Sequence, residues 1–279
     1  MTKRYPLLVV AVAALLPMAS GVAAAGPLTA STPVQVSPTN SPYPPSCNGV
    51  STQVGTIFPG TEVEPTGAVN PARPANVIAG WQQDRWSNGG SNGTPVAFSI
   101  DGGAHWSAPA VQPPFTRCAG GTAANGGDYE RASDPWISIG PTGTAYYMSL
   151  AIDVAQDNNN AMLVSRSTDG GVSWGPVATL RRDTSLTVLN DKNSLTADPV
   201  NPNLAYAIWD RLEFPNENAA GPAGEHAIGF RGPTWFARTT NGGASWEPAR
   251  QIFDPGQVNQ TIGNQIVSPR TAPSSTGST

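Results

Sequence analysis

The sequence has 279 residues, with 30 Gly, 28 Pro, eight Trp and only 12% charged residues. Such a composition favours many short strands and tight turns over helices. The formal net charge of −4 argues against nucleic acid as a partner, because nucleic-acid-binding domains carry a basic patch. With only two His and no CxxC or HExxH pattern, the chain lacks the usual zinc ligands, so we expect neither a metal nor another cofactor.

The N-terminus has the pattern of a signal peptide. Two basic residues precede an apolar run at 7–19, and small residues at 22–25 offer a cleavage site. The run is short and contains Pro17, which argues against a membrane span. We therefore expect a signal peptide at 1–25 and an exported protein, secreted, periplasmic or at the cell surface, with no membrane span after cleavage.

Residues 26–52 are rich in Pro, Ser and Thr without periodicity, and this composition predicts a linker. Cys47, near the end of this segment, and Cys118 are the two cysteines of the chain. In an oxidising compartment they would pair, tying the linker to a loop of the first repeat. Two unpaired thiols are the alternative.

A polar-to-apolar segment that ends in a Pro turn occurs three times without gaps, as EPTGAVNP (64–71), DPWISIGP (134–141) and KNSLTADP (192–199). Each copy is followed by a strand-like run, at 77–81, 144–152 and 204–209. A partial fourth copy, GNQIVSP, occupies 263–269. The pattern predicts two antiparallel strands, A and B, joined by the Pro turn in each repeat.

A second motif also occurs three times, as SIDGGAHW (99–106), STDGGVSW (167–174) and TTNGGASW (239–246). The Asp or Asn can accept bonds from backbone amides ahead of it, and the Gly pair supplies positive φ angles. The motif thus predicts a hairpin corner between strands C and D, with the Trp buried behind it. For the second repeat we place strands A to D at 135–139, 143–151, 160–167 and 174–180.

Three copies at a spacing of roughly 70 residues indicate a propeller or a solenoid of multi-strand units. The motif resembles the Asp-box (BNR) repeat of the sialidase-like β-propeller superfamily. The resemblance implies an all-β propeller over 53–268, with about three four-stranded blades and the start of a fourth. An Ig-like sandwich would not repeat a turn motif three times. The resemblance makes the box residues structural: Asp101, Trp106, Asp169, Trp174, Asn241 and Trp246.

Three blades and part of a fourth do not close a ring, since propellers typically have four to eight blades. We therefore expect an open arc from a longer propeller, followed by a disordered tail at 269–279. The sequence gives no indication of the oligomeric state.

The strand order places the B–C loops and the D–A connections on the face opposite the corners. Strand A is innermost in a blade, so residues at its start would surround a central channel. Loops on one face of a rigid scaffold are where sites are normally built. We expect the following residues to line one polar concavity there: Glu64, Arg85, Arg131, Asp134, Asp191 and Arg211.

The resemblance also implies chemistry. Sialidases clamp a substrate carboxylate with arginines and transfer a proton from an acid. By this comparison Asp134 or Glu64 would be catalytic, and the substrate would be bound by Arg85, Arg131, Arg211 and Asp191. The F/Y-R-I-P motif of sialidases has no counterpart with Arg in TIFPGTEVEP at 56–65. The alternative is that these Asp–Arg pairs brace loop ends.

Three functions remain open on the sequence alone. The first is a secreted, glycan-directed protein, an exo-α-sialidase-like glycoside hydrolase in its complete form, whose ligand is a glycan or another acidic small molecule. The second is a non-catalytic secreted propeller that serves as an adhesion or ligand-binding platform. The third is an assembly or accessory factor.

Overall fold

The computed structural model describes residues 32–49, 54–107, 113–154, 159–216 and 230–269. The predicted signal peptide (1–25) and the tail beyond residue 269 lie outside these residues. The described part is built of antiparallel β-strands and two short 3-10 turns, so the fold is all-β. No helix among the described residues is both long and apolar enough to cross a membrane.

Twelve strands are present in the described residues, numbered in chain order. They are β1 (Ile57–Val69), β2 (Val77–Trp86), β3 (Ser91–Gly93), β4 (Val96–Ser99), β5 (Arg131–Ile139), β6 (Ala145–Ile152), β7 (Asn160–Ser167), β8 (Ala178–Asp183), β9 (Val188–Ala197), β10 (Ala205–Glu213), β11 (Thr234–Thr239) and β12 (Arg250–Phe253). The 3-10 turns are Arg117–Ala119 and Ala123–Asn125.

The strands form an eight-stranded antiparallel sheet, β1 to β8, and a four-stranded one, β9 to β12. A single residue pair, Ser91 with Ala132, joins β3 to β5. We therefore describe the strands as three successive units, β1–β4, β5–β8 and β9–β12. The second unit pairs β5, β6, β7 and β8 in chain order, and the third pairs β9, β10, β11 and β12. These orders match the predicted A–B–C–D sequence of strands. In the first unit β1 pairs with β2, and β3 and β4 both pair with β2 as one interrupted third strand. The fourth strand expected there falls mostly at 108–112, outside the described residues.

Strand β6 explains how the units pack. Its side chains alternate between two hydrophobic cores, as the two-residue period of a strand requires. Tyr146 and Met148 enter the core between the second and third units, together with Trp209. Tyr147 enters the core between the first and second units, together with Phe115. Because both faces of the second unit are covered, β6 is apolar almost throughout.

The three Asp-box motifs fold into equivalent corners. In the second copy, the Ser167 hydroxyl accepts a bond from Gly171 N at 2.9 Å, and Asp169 Oδ1 accepts one from Ser173 N at 2.9 Å. The first copy uses Ser99 and Asp101 in the same way, and the third uses Thr239 and Asn241. Both glycines of every copy have positive φ, which glycine adopts without strain.

The prediction that the three motif Trp residues are buried is wrong in degree. Trp106, Trp174 and Trp246 are all partly exposed, because each ring lies along its solvent-facing corner. Trp174 and Trp246 still pack against the two cores, one on each. Trp106 instead donates its Nε1–H to the carbonyl of Gly103 at 3.0 Å. The Trp rings therefore pack beside the corners and are not fully enclosed by the cores.

The corners lie at the same end of the units as the Pro turns, as the strand order predicts. Gly102 N donates to Ala75 O in the β1–β2 turn at 2.8 Å, and Gly242 N donates to Asn203 O in the β9–β10 turn at 2.9 Å. Asn76 of the first unit donates its Nδ2–H to the carbonyl of Gly170 at 2.9 Å. The corners and the Pro turns therefore bond to one another at one end of the units, and the remaining loops lie at the other end.

Part of the segment predicted as a linker, residues 41–47, contacts the first unit. Tyr43 is buried, and the Ser41 hydroxyl donates to Asp84 at 2.5 Å. Cys47 and Cys118 form a disulfide with their Cα atoms 4.7 Å apart. The buried Tyr43 ring and the disulfide thus fix this segment in place, although its composition alone suggests a flexible linker.

The partial fourth copy lies beside β9. The hydroxyls of Ser194 and Thr196 donate to the carbonyls of Asn264 and Ile266 at 2.7 and 2.8 Å. Strand β9 contacts β5 in a comparable way, since Ala197 N donates to the Ser138 hydroxyl at 2.9 Å. Residues 264–266 therefore occupy the position, relative to the third unit, that each first strand occupies relative to the unit before it.

Candidate functional site

The first strands of the three units share a bulge in their middle parts. The pairing of β1, β5 and β9 with the next strand shifts register at this point in every unit. Glu64, Asp134 and Lys192 occupy equivalent positions there, with φ of 52°, 51° and 45°. Such values are uncommon outside glycine, and a bulge re-aims side chains out of the ladder. We call these three the bulge residues.

The bulge residues line a cavity of about 380 Å³, the outer cavity, at the end of the units opposite the corners. Its walls come from the β2–β3, β6–β7 and β8–β9 connections, including residues 87–90 and 186–189. Four of the six residues predicted to share a concavity do so: Glu64, Arg85, Asp134 and Asp191. Leu150, Ile152 and Phe214 add apolar surface.

An ion pair joins two of the bulge residues. Lys192 Nζ lies 3.2 Å from Asp134 Oδ2, and the Ser133 hydroxyl donates to Asp134 Oδ1 at 2.6 Å. Burial opposes the charge of Lys192, but the carboxylates of Asp134 and Asp191 outweigh it and raise the Lys192 pKa. The cation therefore remains charged in the cavity at physiological pH.

The surroundings of Glu64, the third bulge residue, favour its protonated form. Burial raises the pKa of Glu64, and the negative charge of Asp134 raises it further. Gln82 donates a hydrogen bond to Glu64 Oε2 and opposes this shift. Arg85 Nη1 in turn donates to Gln82 Oε1 at 3.1 Å and to the carbonyl of Gly90 at 3.1 Å. The pKa of Glu64 therefore lies above the ordinary glutamate value, although the residue keeps contact with solvent.

Arg131, predicted to bind substrate, does not line the outer cavity. Arg131 is buried, and its guanidinium lies over the Trp86 ring at 4.2 Å. It donates to Asn88 Oδ1 and to the carbonyl of Gly89, both at 2.9 Å, and to the carbonyl of Val54 at 2.7 Å. Its donors face the back of the β2–β3 loop, so Arg131 supports the cavity wall from behind.

Arg211, also predicted to bind substrate, does not line the outer cavity either. Its guanidinium makes a two-pronged contact with Asp183, with Nε–Oδ2 and Nη2–Oδ1 distances of 2.9 and 2.8 Å. Nη1 pairs with Glu213 at 2.5 Å, and the guanidinium also packs over Trp235. Both of its charge partners lie outside the cavity. These contacts are of the kind expected if Arg211 braces loop ends.

Asp210 is a residue of this region that the sequence analysis missed. It is 1% exposed and lies opposite Asp191 in the β9–β10 pairing. Its Oδ1 has no hydrogen-bond partner among the described residues. Burial first, and the Asp191 charge second, raise the pKa of Asp210 to about 8. The same register position is Gln82 in the first unit and Leu150 in the second.

The sequence shows Trp209-Asp210-Arg211 at the end of a strand, but the bulge opposite decides which of these side chains turns inward. No group of His, Cys, Asp and Glu suited to holding a metal ion occurs among the described residues. The site therefore consists of carboxyl groups, two cations and apolar walls.

No protein-family model and no curated protein matches the chain. Among solved structures, a protein of unknown function from Dyadobacter fermentans is 17% identical, with a TM-score of 0.47 over 69% of this chain and 51% of that one. The microbial sialidase Hz136 is 14% identical, with a TM-score of 0.42 over 67% and 37% of the two chains. An α-L-arabinanase from Penicillium chrysogenum, complexed with arabinobiose, is 15% identical, with a TM-score of 0.42 over 78% and 54%.

The chain therefore spans about half or less of these three structures. Identities of this size do not establish a shared activity, so the function has to be argued from the residues of the cavity.

Proposed function

We propose that this protein is an exported, sialidase-like β-propeller that binds a glycan in the outer cavity and hydrolyses a glycosidic bond there. One observation carries the proposal: Glu64 and Asp134, at equivalent bulges, share one cavity but differ in surroundings. Environments that push the pKa values of two carboxyl groups apart separate an acid from a base. The apolar walls and polar rim also suit a sugar, which presents both hydroxyls and apolar ring faces.

In this proposal Glu64, with its raised pKa, is the general acid, and the ion-paired Asp134 is the base. The bond between the anomeric carbon and the leaving oxygen breaks, and Glu64 gives its proton to that oxygen. A water oxygen bonds to the anomeric carbon and its proton passes to Asp134. Glu64 loses one proton and Asp134 gains one, so the reaction conserves protons.

The cations of the cavity limit which classes of glycan can be the substrate. A sialidase-type clamp would need several arginines, but Arg131 and Arg211 are committed to structural contacts. Arg85 and Lys192 remain in the cavity, together with four carboxyl groups. An acidic sugar would pair with these two cations, and a neutral glycan would use the same groups as hydrogen-bond donors. Sialosides are thus one of several glycans to be tested.

Two further parts of the proposal concern architecture and location. We propose that the three units are blades of an open arc and that residues 263–269 begin a fourth, supported by the contacts of Ser194 and Thr196 with that segment. The Cys47–Cys118 disulfide supports export, because disulfides persist mainly in oxidising compartments.

A glycan array followed by hydrolysis of fluorogenic glycosides, sialosides included, tests the function. We expect wild-type protein to bind and cleave one glycan class, and Glu64→Gln to lower kcat/KM by about 10²–10⁴, the usual range for a general acid. Glu62→Gln, an exposed change on the same strand, is the matched control. Binding without turnover would favour the non-catalytic platform, and no binding to any glycan would refute the proposal.

A further inference from the structure

A second cavity, the inner cavity, adjoins the first. It measures about 460 Å³ and lies along the middle parts of β1, β5 and β9, with residues 263–265 as its remaining wall. The bulge residues Glu64, Asp134 and Lys192 line both cavities. They therefore stand at the junction of two adjoining spaces.

The inner cavity contains polar groups that lack partners within the described part of the chain. Asn193 is 4% exposed, and its Nδ2 donates to the carbonyl of Asp134 at 2.9 Å, whereas its Oδ1 accepts nothing. Asn264 lines the same space, and its Nδ2 donates to nothing. An open acceptor and an open donor together match a hydroxyl group, which both donates and accepts.

The remaining lining of the inner cavity is uncharged. Apart from the bulge residues it consists of Pro, Thr, Gly, Trp, Ile, Asn, Ser and Gln side chains. Trp136, which is partly exposed, supplies an aromatic surface. Away from the bulge residues, an aromatic face and unpaired amide groups without a charged neighbour suit a neutral sugar ring better than an ionic group, which would need a charged partner there.

We propose that the ligand is an extended oligosaccharide that occupies both cavities. One sugar unit lies in the outer cavity, the linkage lies beside the bulge residues, and the next, neutral unit lies in the inner cavity against Trp136. The hydroxyls of that second unit bind Asn193 Oδ1 and Asn264 Nδ2. This inference rests on the proposed function and adds the length of the ligand and the neutrality of its second unit.

Calorimetric titration with a length series of the glycan class found on the array, from one to four units, tests the inference. For wild-type protein we expect affinity to rise about tenfold or more when the second unit is added. Asn193→Leu, of similar volume, removes most of that increase and leaves the affinity for the single unit within about twofold. Asn203→Leu, on the exposed β9–β10 turn, is the matched control.

Asn264→Ala covers the case in which Asn193→Leu does not fold, because residues 263–265 include exposed positions and a half-buried Asn264. It should also reduce the gain from the second unit. Equal affinity for one and two units, or an equal loss for every length in both variants, overturns the two-cavity proposal while the proposed function stands. Wild-type protein that binds no glycan of any length overturns both.

Discussion

The two ends of the strand units differ in how repetition is used. At the corner end, all three copies make the same bonds, and Asp169 and Asn241 replace one another without change of geometry. At the cavity end, three equivalent bulges carry Glu64, Asp134 and Lys192, three different side chains. Similar residues that make the same bonds at equivalent positions maintain the fold. Different residues at equivalent positions, facing one space, are a sign of function.

The carboxyl groups at the two ends also differ in the direction of their pKa shifts. The hydrogen bonds from His105 and Ser99 lower the pKa of Asp101. Those from Ser173 and Ser167 outweigh desolvation and lower the pKa of Asp169. At the cavity end, burial and like charge raise the pKa of Glu64 and of Asp210. Corner carboxylates are therefore stabilised as anions, and two acids of the cavity end are not.

Among the substitutions that test this difference between the two ends, Asp210→Asn should have the largest effect on stability. Unfolded, this carboxyl ionises near pH 4, whereas folded it keeps its proton to about pH 8. The folded state therefore binds more protons between these pH values, and stability falls as pH rises through that range. Asp210→Asn removes the penalty and should stabilise the protein above pH 8 by on the order of 3–5 kcal/mol.

Denaturant unfolding of both proteins at pH 4.5, 7 and 9 measures this effect. The free energies of unfolding should converge at pH 4.5 and diverge with rising pH, with the variant the more stable. Wild-type and variant curves that stay parallel across the range would show that Asp210 is ionised in the folded protein.

A smaller effect separates two arginines that look alike in sequence. Arg211→Gln leaves the buried Asp183 with fewer partners and should cost about 1–3 kcal/mol, which lowers Tm by several degrees. Arg85→Gln removes a donor from the cavity wall and should weaken glycan binding about tenfold with little change in Tm.

Arg73→Gln, on the exposed turn at the corner end, is the control for both, with neither effect expected. The measurements are thermal melting and titration with the glycan from the array. If Arg85→Gln lowers Tm as much as Arg211→Gln and binding persists, Arg85 is also a brace and the site assignment is wrong.

Local chemistry made much of this molecule predictable. The Gly-Gly corners, the Pro turns and the two repeats in phase predict the strand order, and in the second unit each strand is found within a few residues of its expected place. Glu64 and Asp134 line one cavity, which agrees with the expectation from the same order of strands.

Other features depend on contacts between distant residues. A bulge shifts which side chains face a cavity, and no local signal marks it, so Asp210 was missed. Arg131 and Arg211 were assigned to the site because they end or begin strands there. Their partners, Val54 for the first and Asp183 for the second, come from segments whose approach is set by folding. The same holds for Tyr43, whose burial against the first unit the linker composition conceals.

The most direct test of the division between the two ends compares one substitution at each. Asp134→Ala and Asp169→Ala delete the same side chain from a bulge and from a corner, and both proteins are assayed for Tm and for affinity toward the array glycan. We expect Asp134→Ala to reduce affinity at least tenfold with Tm within about 2 °C of wild type. Asp169→Ala should lower Tm by about 2–4 °C, the loss of about 1 kcal/mol, with unchanged affinity. Full affinity in Asp134→Ala, or lost affinity in Asp169→Ala, would contradict the account.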